Sequence, residues 1–373
     1  MKIAMLGHKR IPGREGGIEV VVEELATRMV KKGHDVVVYN RHKKGYNCPK
    51  QYRGVRIEDV PTIEKKATDA VVYSFLASIK VLFGKYDIIH YHAIGPSVFL
   101  IIPHFFRKKT VVTVHGLNYK TPKWNRFGAK FILLGEKITA KYADQIIVLS
   151  QEQKRYFLEK YNRETEYIPN GVTSLPRVKA KEITQKYGLK EKEYILFISR
   201  VVPGKGLEYL LDAYKKIDGT MPLVIAGDAE YVTDFRAMIG KKAKEDDRVK
   251  LIGFVEGKVL AELYSNARLF VFPSEAEGMP MCLLEAMSYN CPCLVSDIPE
   301  NAEVGKEYVK YFQSKNTENL AKKLRECLQF GCETQPDCVE YMKKNYSWEM
   351  VVDKTLKMYK NILNKKDESR WRW

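Results

Sequence analysis

The sequence predicts an α/β protein built from two domains, each with a parallel β-sheet covered by helices. Short apolar runs alternate with amphipathic helical segments along the chain, which is typical of parallel sheets with helices on both faces. The chain has 373 residues, too many for one ordinary hydrophobic core, and 45% of them are hydrophobic, which is enough to fill two cores.

The first half begins with a predicted strand, Lys2 to Leu6, that enters a glycine-containing loop. A helix is predicted from about Gly17 to Lys32, because residues such as Val21, Leu25 and Met29 recur there at helical spacing. The further strands predicted in this half are His34 to Asn40, Ile88 to Tyr91, Thr110 to Val114 and Gln145 to Leu149, with helices near Tyr73 to Phe83 and Lys130 to Tyr142.

The second half repeats this alternation. Its predicted strands lie near Tyr194, Leu223, Val249, Leu269 and Cys293. The segment SWEMVVDKTLKMYKNILNKK near the end of the chain predicts a helix with an apolar face for burial, formed by Met350, Val351, Leu356, Tyr359 and Leu363.

The net charge of +17 is concentrated in the first half of the chain. Residues 1–180 hold 32 Lys and Arg against 16 Asp and Glu. Such a basic surface suits nucleic acid, an anionic membrane or an anionic acceptor. No zinc-finger spacing, aromatic RNA-binding signature or recognition-helix pattern accompanies it, so nucleic acid is not an expected partner. A membrane surface and an anionic acceptor are the preferred partners.

Cysteines and apolar runs indicate a cytoplasmic location. The seven cysteines form no CxxC pair and no metal-like cluster, so reduced thiols are expected. Met1 to Gly7 is a short strand followed by basic residues and does not resemble a signal peptide. The most apolar run, Val98 to Phe106, is much shorter than the roughly twenty residues of a membrane span.

Two basic residues flank the loop after the strand Tyr194 to Ser199. Arg200 leaves the carboxyl end of that strand and Lys205 precedes the next helix, which is where open α/β sheets bind ligands. A guanidinium and an ammonium that converge there suit a diphosphate. The alternative is a solvated basic loop.

Two glutamates, Glu277 and Glu285, bracket a second strand-to-helix turn marked by Gly278 and Pro280. Each carboxylate can bind a hydroxyl of a polyhydroxylated ligand, and backbone N–H groups at a helix N-terminus can hold an anion. The alternative is a pair of surface acids, one in the loop and one on the helix.

All seven histidines lie in the first 115 residues. His115 follows a predicted strand and precedes Gly116, so it is expected at the carboxyl end of the sheet. His90 and His92 stand two residues apart at another strand end, and their side chains are expected on the same side. That spacing suits a metal, but without a further ligand nearby a structural or acceptor-facing role is preferred.

The order and spacing of these motifs resemble glycosyltransferase family 4, whose members are retaining, nucleotide-sugar-dependent enzymes of the GT-B fold. The motifs that carry the resemblance are the loop glycines Gly13, Gly16 and Gly17, TVHG ending at Gly116, IPNGV from Ile168 to Val172, Arg200 with Lys205-Gly206, VIAGD ending at Asp228, and Glu277 followed by Glu285. The front part looks most like the rhamnosyltransferase-like subgroup of bacterial surface-polysaccharide enzymes.

The resemblance implies two Rossmann-like domains that face each other across a cleft. Residues 1–172 would form the acceptor-side domain and residues 173–346 the nucleotide-sugar-binding domain. Residues 347–373 would supply a helix that returns to the first domain, followed by a tail.

The resemblance also implies a role for each candidate site residue. Arg200 and Lys205 would hold the diphosphate and stabilise its departure, Glu277 would bind sugar hydroxyls, Glu285 the ribose, and His115 the transferred sugar. The implied donor-binding residues are Gly16, Gly17, Arg200, Lys205, Gly278, Met279 and Glu285. One departure is that EGMP replaces the common EGFG, and Pro280 lacks an amide donor.

No metal or other cofactor is expected, because the sequence has no Asp-x-Asp pair and fixed cations can replace a metal ion. The expected reactants are a UDP-sugar or dTDP-rhamnose donor and a saccharide or lipid-linked acceptor. The alternatives are a GT-B nucleotide-sugar epimerase and a non-catalytic nucleotide-sugar-binding partner subunit.

Peripheral binding to the inner face of the plasma membrane is a further hypothesis. It rests on the basic first half, on Phe105, Phe106, Arg107, Lys108 and Lys109, and on the Trp/Arg terminus at 370–373. The alternatives are that the two phenylalanines belong to the core and that the terminus is a disordered tail.

Overall fold

The chain folds into two compact units in a computed structural model. The first comprises Met1–Gly171 and the segment that begins at Trp348, and the second comprises Val172–Ser347. The structure describes residues 1–13, 16–65, 68–116, 126–228, 233–332 and 335–365. The Trp/Arg terminus at 370–373 lies outside the described residues.

The first unit contains an eight-stranded sheet in the order β3-β4-β2-β1-β5-β6-β7-β8. All neighbouring strands are parallel except the pair β3 and β4. The strands are β1 (Lys2–Leu6), β2 (Asp35–Arg41), β3 (Gln51–Tyr52), β4 (Val55–Val60), β5 (Ile88–His92), β6 (Thr110–Val114), β7 (Gln145–Val148) and β8 (Glu166–Tyr167).

Helices connect these strands and bury their apolar faces against the sheet. They are α1 (Gly17–Lys31), α2 (Asp69–Lys80), α3 (Ile101–Phe105), α4 (Arg126–Tyr142), α5 (Gln151–Tyr161) and the returning helix α14 (Trp348–Asn364), with 3₁₀ turns at Val81–Phe83 and Pro96–Leu100. The core of the unit includes Leu6, Tyr91 and Val112 from the sheet and Tyr73 and Phe157 from the helices.

The second unit contains a six-stranded parallel sheet in the order β11-β10-β9-β12-β13-β14. Its strands are β9 (Ile195–Ile198), β10 (Leu223–Ala226), β11 (Val249–Gly253), β12 (Leu269–Phe272), β13 (Cys293–Ser296) and β14 (Lys310–Phe312). Its helices are α6 (Glu182–Tyr187), α7 (Leu207–Tyr214), α8 (Thr233–Ala243), α9 (Gly257–Asn266), α10 (Met281–Ser288), α11 (Pro299–Gly305), α12 (Thr317–Phe330) and α13 (Cys338–Tyr346). The predicted pair of Rossmann-like α/β domains with parallel sheets is confirmed.

Each sheet has a point where the direction of strand addition reverses. In the first sheet it lies between β1 and β5, and in the second between β9 and β12. Loops diverge at such a point and leave room for a ligand beyond the carboxyl ends of the strands. Arg200 follows β9 and Glu277 follows β12, so the second reversal point lies beside the residues that the motifs single out.

The helix α14 packs on α1 within the first unit. Arg28 Nη1 lies 2.6 Å from Glu349 Oε1, and Lys32 Nζ lies 2.6 Å from Asp353 Oδ1. A buried hydrogen bond of 2.6 Å joins Tyr359 Oη to His90 Nδ1 in the middle of β5. The helix is therefore attached to its unit by a buried polar contact as well as by its apolar face.

Two features differ from what the sequence patterns led us to expect. The strands β3, β4, β8 and β14 were not predicted; β4 alternates buried and exposed residues, with Arg56, Glu58 and Asp59 interrupting its apolar character. The two phenylalanines at the end of α3 are not core residues, since Phe105 is 70% exposed and Phe106 is 64% exposed. The interpretation that placed them in the core is wrong.

Candidate functional site

The predicted residues Lys205 and Glu277 meet in the second unit. Lys205 Nζ lies 2.5 Å from Glu277 Oε1, and the two side chains are only 15% and 10% exposed. Ser274, which follows β12, donates its hydroxyl to the same carboxylate oxygen over 2.6 Å. The lysine ammonium also lies 6.0 Å from the centre of the Phe272 ring. A partly buried ion pair thus stands at the carboxyl ends of β9 and β12.

Glycine permits the approach of the loop that carries Lys205. Gly206 has a φ of +70°, and a Cβ atom there would come within 2.0 Å of the carbonyl oxygen of Pro273. The two loops are joined by a backbone bond of 3.0 Å from the Glu275 amide to the Gly204 carbonyl. The close contact of these loops sets the position of Lys205 relative to Glu277.

Arg200 follows β9, and its residue is exposed. In the described part of the chain its guanidinium forms no ion pair with a carboxylate. Gly227, in the neighbouring loop, has a φ of +135°, and a Cβ there would come within 1.8 Å of the Ser199 carbonyl oxygen. The loop that begins with Arg200 therefore lies directly against the loop after β10.

Glu285 lies on the second turn of α10 among groups that the sequence did not single out. Tyr264 Oη donates a hydrogen bond of 3.1 Å to Glu285 Oε2. Burial, and secondly the Glu285 carboxylate, raise the pKa of Tyr264 well above its usual range. The pKa of the Cys282 thiol is raised to about 12, first by burial and then by the Glu285 and Glu277 carboxylates, whereas the Lys205 ammonium acts to lower it. Lys205, Glu277 and Glu285 therefore act on a common thiol.

Gly278, Met279 and Pro280 form the turn between Glu277 and α10. Met279 is buried at 7% exposure, and Pro280 stands directly before the first helical residue. The missing amide of Pro280 is thus outside the hydrogen-bond ladder of α10. The Pro280 carbonyl accepts a hydrogen bond of 3.0 Å from the Leu283 amide, at the start of α10.

His115 belongs to the first unit, where it completes a row of three imidazoles. His92 Nδ1 lies 3.2 Å from His115 Nε2, and the rings of His90 and His92 are 4.1 Å apart. Burial lowers the pKa of His90 and of His115 to about 3 and that of His92 well below its usual range. At neutral pH these side chains are neutral hydrogen-bonding groups.

His90 and His92 occupy different hydrogen-bonding environments. His90 Nε2 lies 2.7 Å from Thr113 Oγ1 and His90 Nδ1 lies 2.6 Å from Tyr359 Oη. One neutral tautomer, which donates from one nitrogen and accepts at the other, satisfies both bonds. His90 therefore links β5 to β6 and to α14, whereas His92 contacts His115.

Gly16 and Gly17 stand at the start of α1 in the first unit. Gly16 is the residue before the helix, in an extended conformation, and a Cβ there would come within 2.8 Å of Glu19 Oε2. Glu19, which is buried, accepts a hydrogen bond of 3.0 Å from the Lys9 amide. Gly16 thus leaves room for a glutamate that ties the first loop to the helix.

Three residues that interact with the candidate glutamates were not predicted from the sequence: Ser274, Tyr264 and Cys282. Cys282 could have been noticed, since it lies between the two glutamates of the motif, three residues before Glu285. Tyr264 and Ser274 carried no such signal, because their contacts depend on how α9 and the loop after β12 pack.

The described ranges contain no group of three or more His, Cys, Asp or Glu side chains arranged to hold a metal ion. Among the helices within those ranges, none is long and apolar enough to cross a membrane.

Two family profiles match the chain. Residues 15–174 match the family described as Glycosyltransferase Family 4, and residues 179–345 match that described as Glycosyl transferases group 1. An uncharacterized glycosyltransferase of Methanocaldococcus jannaschii is 27% identical over 394 residues, covering 96% of this chain and 98% of that protein.

Two further relatives carry more specific descriptions. The UDP-Gal:alpha-D-GlcNAc-diphosphoundecaprenol alpha-1,3-galactosyltransferase of Escherichia coli is 29% identical over 265 residues, covering 66% of this chain and 67% of that protein. The crystal structure of Anabaena HepE in complex with UDP-glucose superposes with a TM-score of 0.81 at 17% identity, covering 97% of this chain and 100% of that chain. Each unit is thus matched by one of the two profiles, and the chain therefore consists of a Glycosyltransferase Family 4 domain followed by a Glycosyl transferases group 1 domain, in the GT-B fold.

Proposed function

We propose that this protein transfers a sugar from a nucleoside-diphosphate donor to a saccharide or lipid-linked acceptor in surface-polysaccharide synthesis. The observation that carries the proposal is the partly buried ion pair of Lys205 and Glu277 at the point where the second sheet reverses its strand order. A cation for a diphosphate and a carboxylate for sugar hydroxyls stand side by side there.

Each candidate residue has a proposed role. Arg200 and Lys205 bind the diphosphate, Glu277 binds hydroxyls of the transferred sugar and Glu285 binds the ribose. Because Glu277 and the loop glycines already hold Lys205 in place, the ammonium needs little rearrangement when charge develops on the leaving group. Gly278 and Met279 contribute to the same donor site.

The first domain would supply the acceptor side and three further site residues. His115 contacts the sugar as a neutral hydrogen-bonding group, consistent with its lowered pKa. Gly16 and Gly17, which have no side chains, would let the first loop bind the donor.

The proposed reaction retains the anomeric configuration. The acceptor hydroxyl oxygen bonds to the anomeric carbon on the face from which the phosphate oxygen leaves, and the hydroxyl proton passes to the departing phosphate. Arg200 and Lys205 stabilise the negative charge of that leaving group more strongly in the transition state than in the bound donor. No separate base and no metal ion are required in this scheme.

A UDP-sugar and dTDP-rhamnose are the two proposed donors. The description of the Escherichia coli relative supports a UDP-sugar and an acceptor carried on a lipid diphosphate. The proposal of dTDP-rhamnose rests on the resemblance of the front part of the sequence to the rhamnosyltransferase-like subgroup. The transferase description of that relative favours transfer over the epimerase and non-catalytic alternatives.

A lipid-linked acceptor would bring the protein to an anionic membrane surface from the cytoplasmic side. The basic residues of the first half and the exposed Phe105 and Phe106 support this part of the proposal.

Nucleotide affinity tests the site. Lys205→Ala and Glu285→Ala should each weaken binding of UDP or dTDP, whichever the protein prefers, by roughly ten- to a hundredfold, because each removes a charged contact of about 1.5–3 kcal/mol. Isothermal titration calorimetry measures this, with Lys343→Ala as a control on the exposed side of α13. Unchanged affinity in both variants would rule out the site assignment.

Two activity measurements test the chemistry. Transfer rates before and after exhaustive EDTA treatment should agree, and loss of activity restored by Mg²⁺ or Mn²⁺ would contradict the metal-free scheme. Incubation with donor alone should leave the sugar configuration unchanged, whereas an epimerised nucleotide sugar would indicate the epimerase alternative.

A further inference from the structure

A cationic cavity lies in the second unit, at the end of the sheet opposite Lys205 and Glu277. It has a volume of about 490 Å³ and is lined by Arg177, Lys192, Arg268, Asn290, Pro292 and the segment 329–332. Lys192 shortly precedes β9 and Arg268 directly precedes β12, so both mark the amino ends of these strands. Four residues of β9 span roughly 13 Å, which separates this cavity from the candidate donor site.

The charged side chains that line the cavity are all basic: Arg177, Lys192 and Arg268. Arg177 reaches one acid, Glu191, at 3.9 Å, but these side chains are 43% and 62% exposed, so that pair contributes little. Within the described ranges Arg268 forms no ion pair. Burial lowers the pKa of the Lys192 ammonium; the nearby Arg177 and Arg268 guanidinium groups also lower it, whereas Cys291 and Glu191 act to raise it. The cluster therefore carries an excess of positive charge.

Backbone carbonyls at the end of α9 hold two of these cations in position. Arg177 Nε donates to the Ser265 carbonyl over 3.1 Å, and Lys192 Nζ donates to the Ala267 carbonyl over 2.9 Å. A guanidinium has five N–H donors and an ammonium three, so these bonds leave donors for a ligand. The cations are thus fixed before any ligand binds.

We propose that this cavity binds the phosphate or diphosphate group of a small molecule, at a site separate from the donor site. Guanidinium and ammonium groups together match the geometry and charge of phosphate oxygens. A multiply charged oxyanion also relieves the repulsion among Arg177, Lys192 and Arg268. The volume lies within the roughly 300–1,000 Å³ of small-molecule sites.

Inorganic pyrophosphate, titrated calorimetrically, tests the proposal. The double variant Arg200→Gln, Lys205→Gln removes the cations of the candidate donor site, and pyrophosphate should still bind to it. In that background Arg268→Gln or Lys192→Gln should weaken binding at least roughly tenfold, whereas the matched change Lys343→Gln on α13 should leave it unaltered.

The outcomes separate the two sites. Loss of pyrophosphate binding in the double variant, or binding that survives both Arg268→Gln and Lys192→Gln, would overturn the second site. Arg268→Lys keeps the charge without the planar fork and should bind with intermediate affinity. Circular dichroism checks that each variant folds. If either Arg268→Gln or Lys192→Gln does not fold, the pyrophosphate affinity of the other variant tests the proposal.

Parallel titrations with orthophosphate and UDP identify the form of phosphate that the cavity takes. Failure of UDP to bind the wild-type donor site would count against the proposed function and not against this cavity.

Discussion

The ion pair between Lys205 and Glu277 has to be shared with a ligand if both side chains serve a nucleotide sugar. In the structure Glu277 Oε1 accepts from both Lys205 and Ser274. The carboxylate therefore positions the lysine and at the same time offsets part of its charge. Positioning the lysine strengthens the binding of a diphosphate, whereas offsetting its charge weakens that binding. Replacing Glu277 with a neutral residue can separate the two effects.

Glu277→Gln should leave UDP or dTDP affinity unchanged or tighter, because Lys205 loses its internal counter-charge. Sugar transfer should fall roughly ten- to a hundredfold, since a charged contact of about 1.5–3 kcal/mol to the sugar is lost. Calorimetry and initial rates measure the two quantities. Glu275→Gln, in the same loop but paired with Lys315 at 3.0 Å, is the matched control. Unimpaired transfer in Glu277→Gln would contradict the role given to this residue.

The buried histidines make the stability of the first unit depend on pH. The pKa of His90 is lowered to about 3 from an ordinary value of 6.5 because burial disfavours its charged form. Between these values the unfolded chain binds a proton that the folded chain does not, so the free energy of unfolding decreases as the pH falls.

We expect the urea midpoint of the wild type to decrease steadily from pH 6.5 toward pH 4. His90→Gln should be less stable at neutral pH, but its free energy of unfolding should decline more slowly, by up to about 1.4 kcal/mol per pH unit. Denaturation followed by circular dichroism at each pH provides the comparison. Identical slopes in the two proteins would show that His90 is not held neutral by the fold.

At the scale of elements, the turn between β9 and α7 contains a glycine, Gly206, that is confined by a neighbouring loop as well as by its own backbone conformation. Gly206 adopts a left-handed conformation, and its space is occupied on one side by the Pro273 carbonyl. Gly188, at the end of α6, has a similar φ of +65° but nothing within 4 Å of the Cβ position. Substitutions at Gly188 and Gly206 can therefore distinguish the cost of backbone strain from the cost of a steric collision.

Gly188→Ala should destabilise the protein by about 1–2 kcal/mol, the cost of a side chain in the left-handed region. Gly206→Ala should cost clearly more, because the loop must also move away from β12, and it should weaken nucleoside-diphosphate binding by displacing Lys205. Thermal unfolding and calorimetric titration measure the two effects. Equal losses of stability in the two variants, with nucleotide affinity intact, would count against this account of the turn.

At the scale of the whole molecule, the charge is divided unequally along the chain. Its first half has the excess of Lys and Arg, and the end of α3 adds the exposed Phe105, Phe106 and Arg107. Lys109 contributes less to an outer surface, since its ammonium lies 3.7 Å from Asp144 and the side chain is 18% exposed. Aromatic and basic groups next to each other suit the headgroup region of an anionic bilayer.

The protein should co-sediment with anionic vesicles at low salt, less at high salt, and little with neutral vesicles. Replacing Arg107, Lys108 and Lys109 with Ser should reduce the bound fraction, because each basic residue near the surface contributes about 1 kcal/mol. The control for net charge removes three exposed lysines of the second unit, Lys244, Lys343 and Lys344, each replaced with Ser. Failure to bind anionic vesicles at low salt, or binding unaffected by the triple change, would remove the membrane from the proposal without affecting glycosyl transfer.

The sequence alone determined the alternation of strands and helices, because the period of the apolar residues is a local property. Thr110–Val114 was predicted with its observed bounds, and the helix predicted from Gly17 ends within one residue of α1. The edge strands β3, β8 and β14, and β4 next to β3, were not predicted, since they are very short or of mixed polarity. The motif spacing likewise identified Arg200, Lys205, Glu277, Glu285 and His115 as candidates, but their roles remain predictions.

Only the tertiary structure decided which of these side chains meet. The contacts of Lys205 with Glu277, of Tyr264 with Glu285 and of His90 with Tyr359 join residues 72, 21 and 269 positions apart. Such contacts depend on strand order, on glycines that let loops approach, and on the packing of helices against the sheets. None of these is encoded in a local pattern. The cationic cavity at Arg177, Lys192 and Arg268 has the same origin, since its residues converge only when β9 and β12 lie side by side.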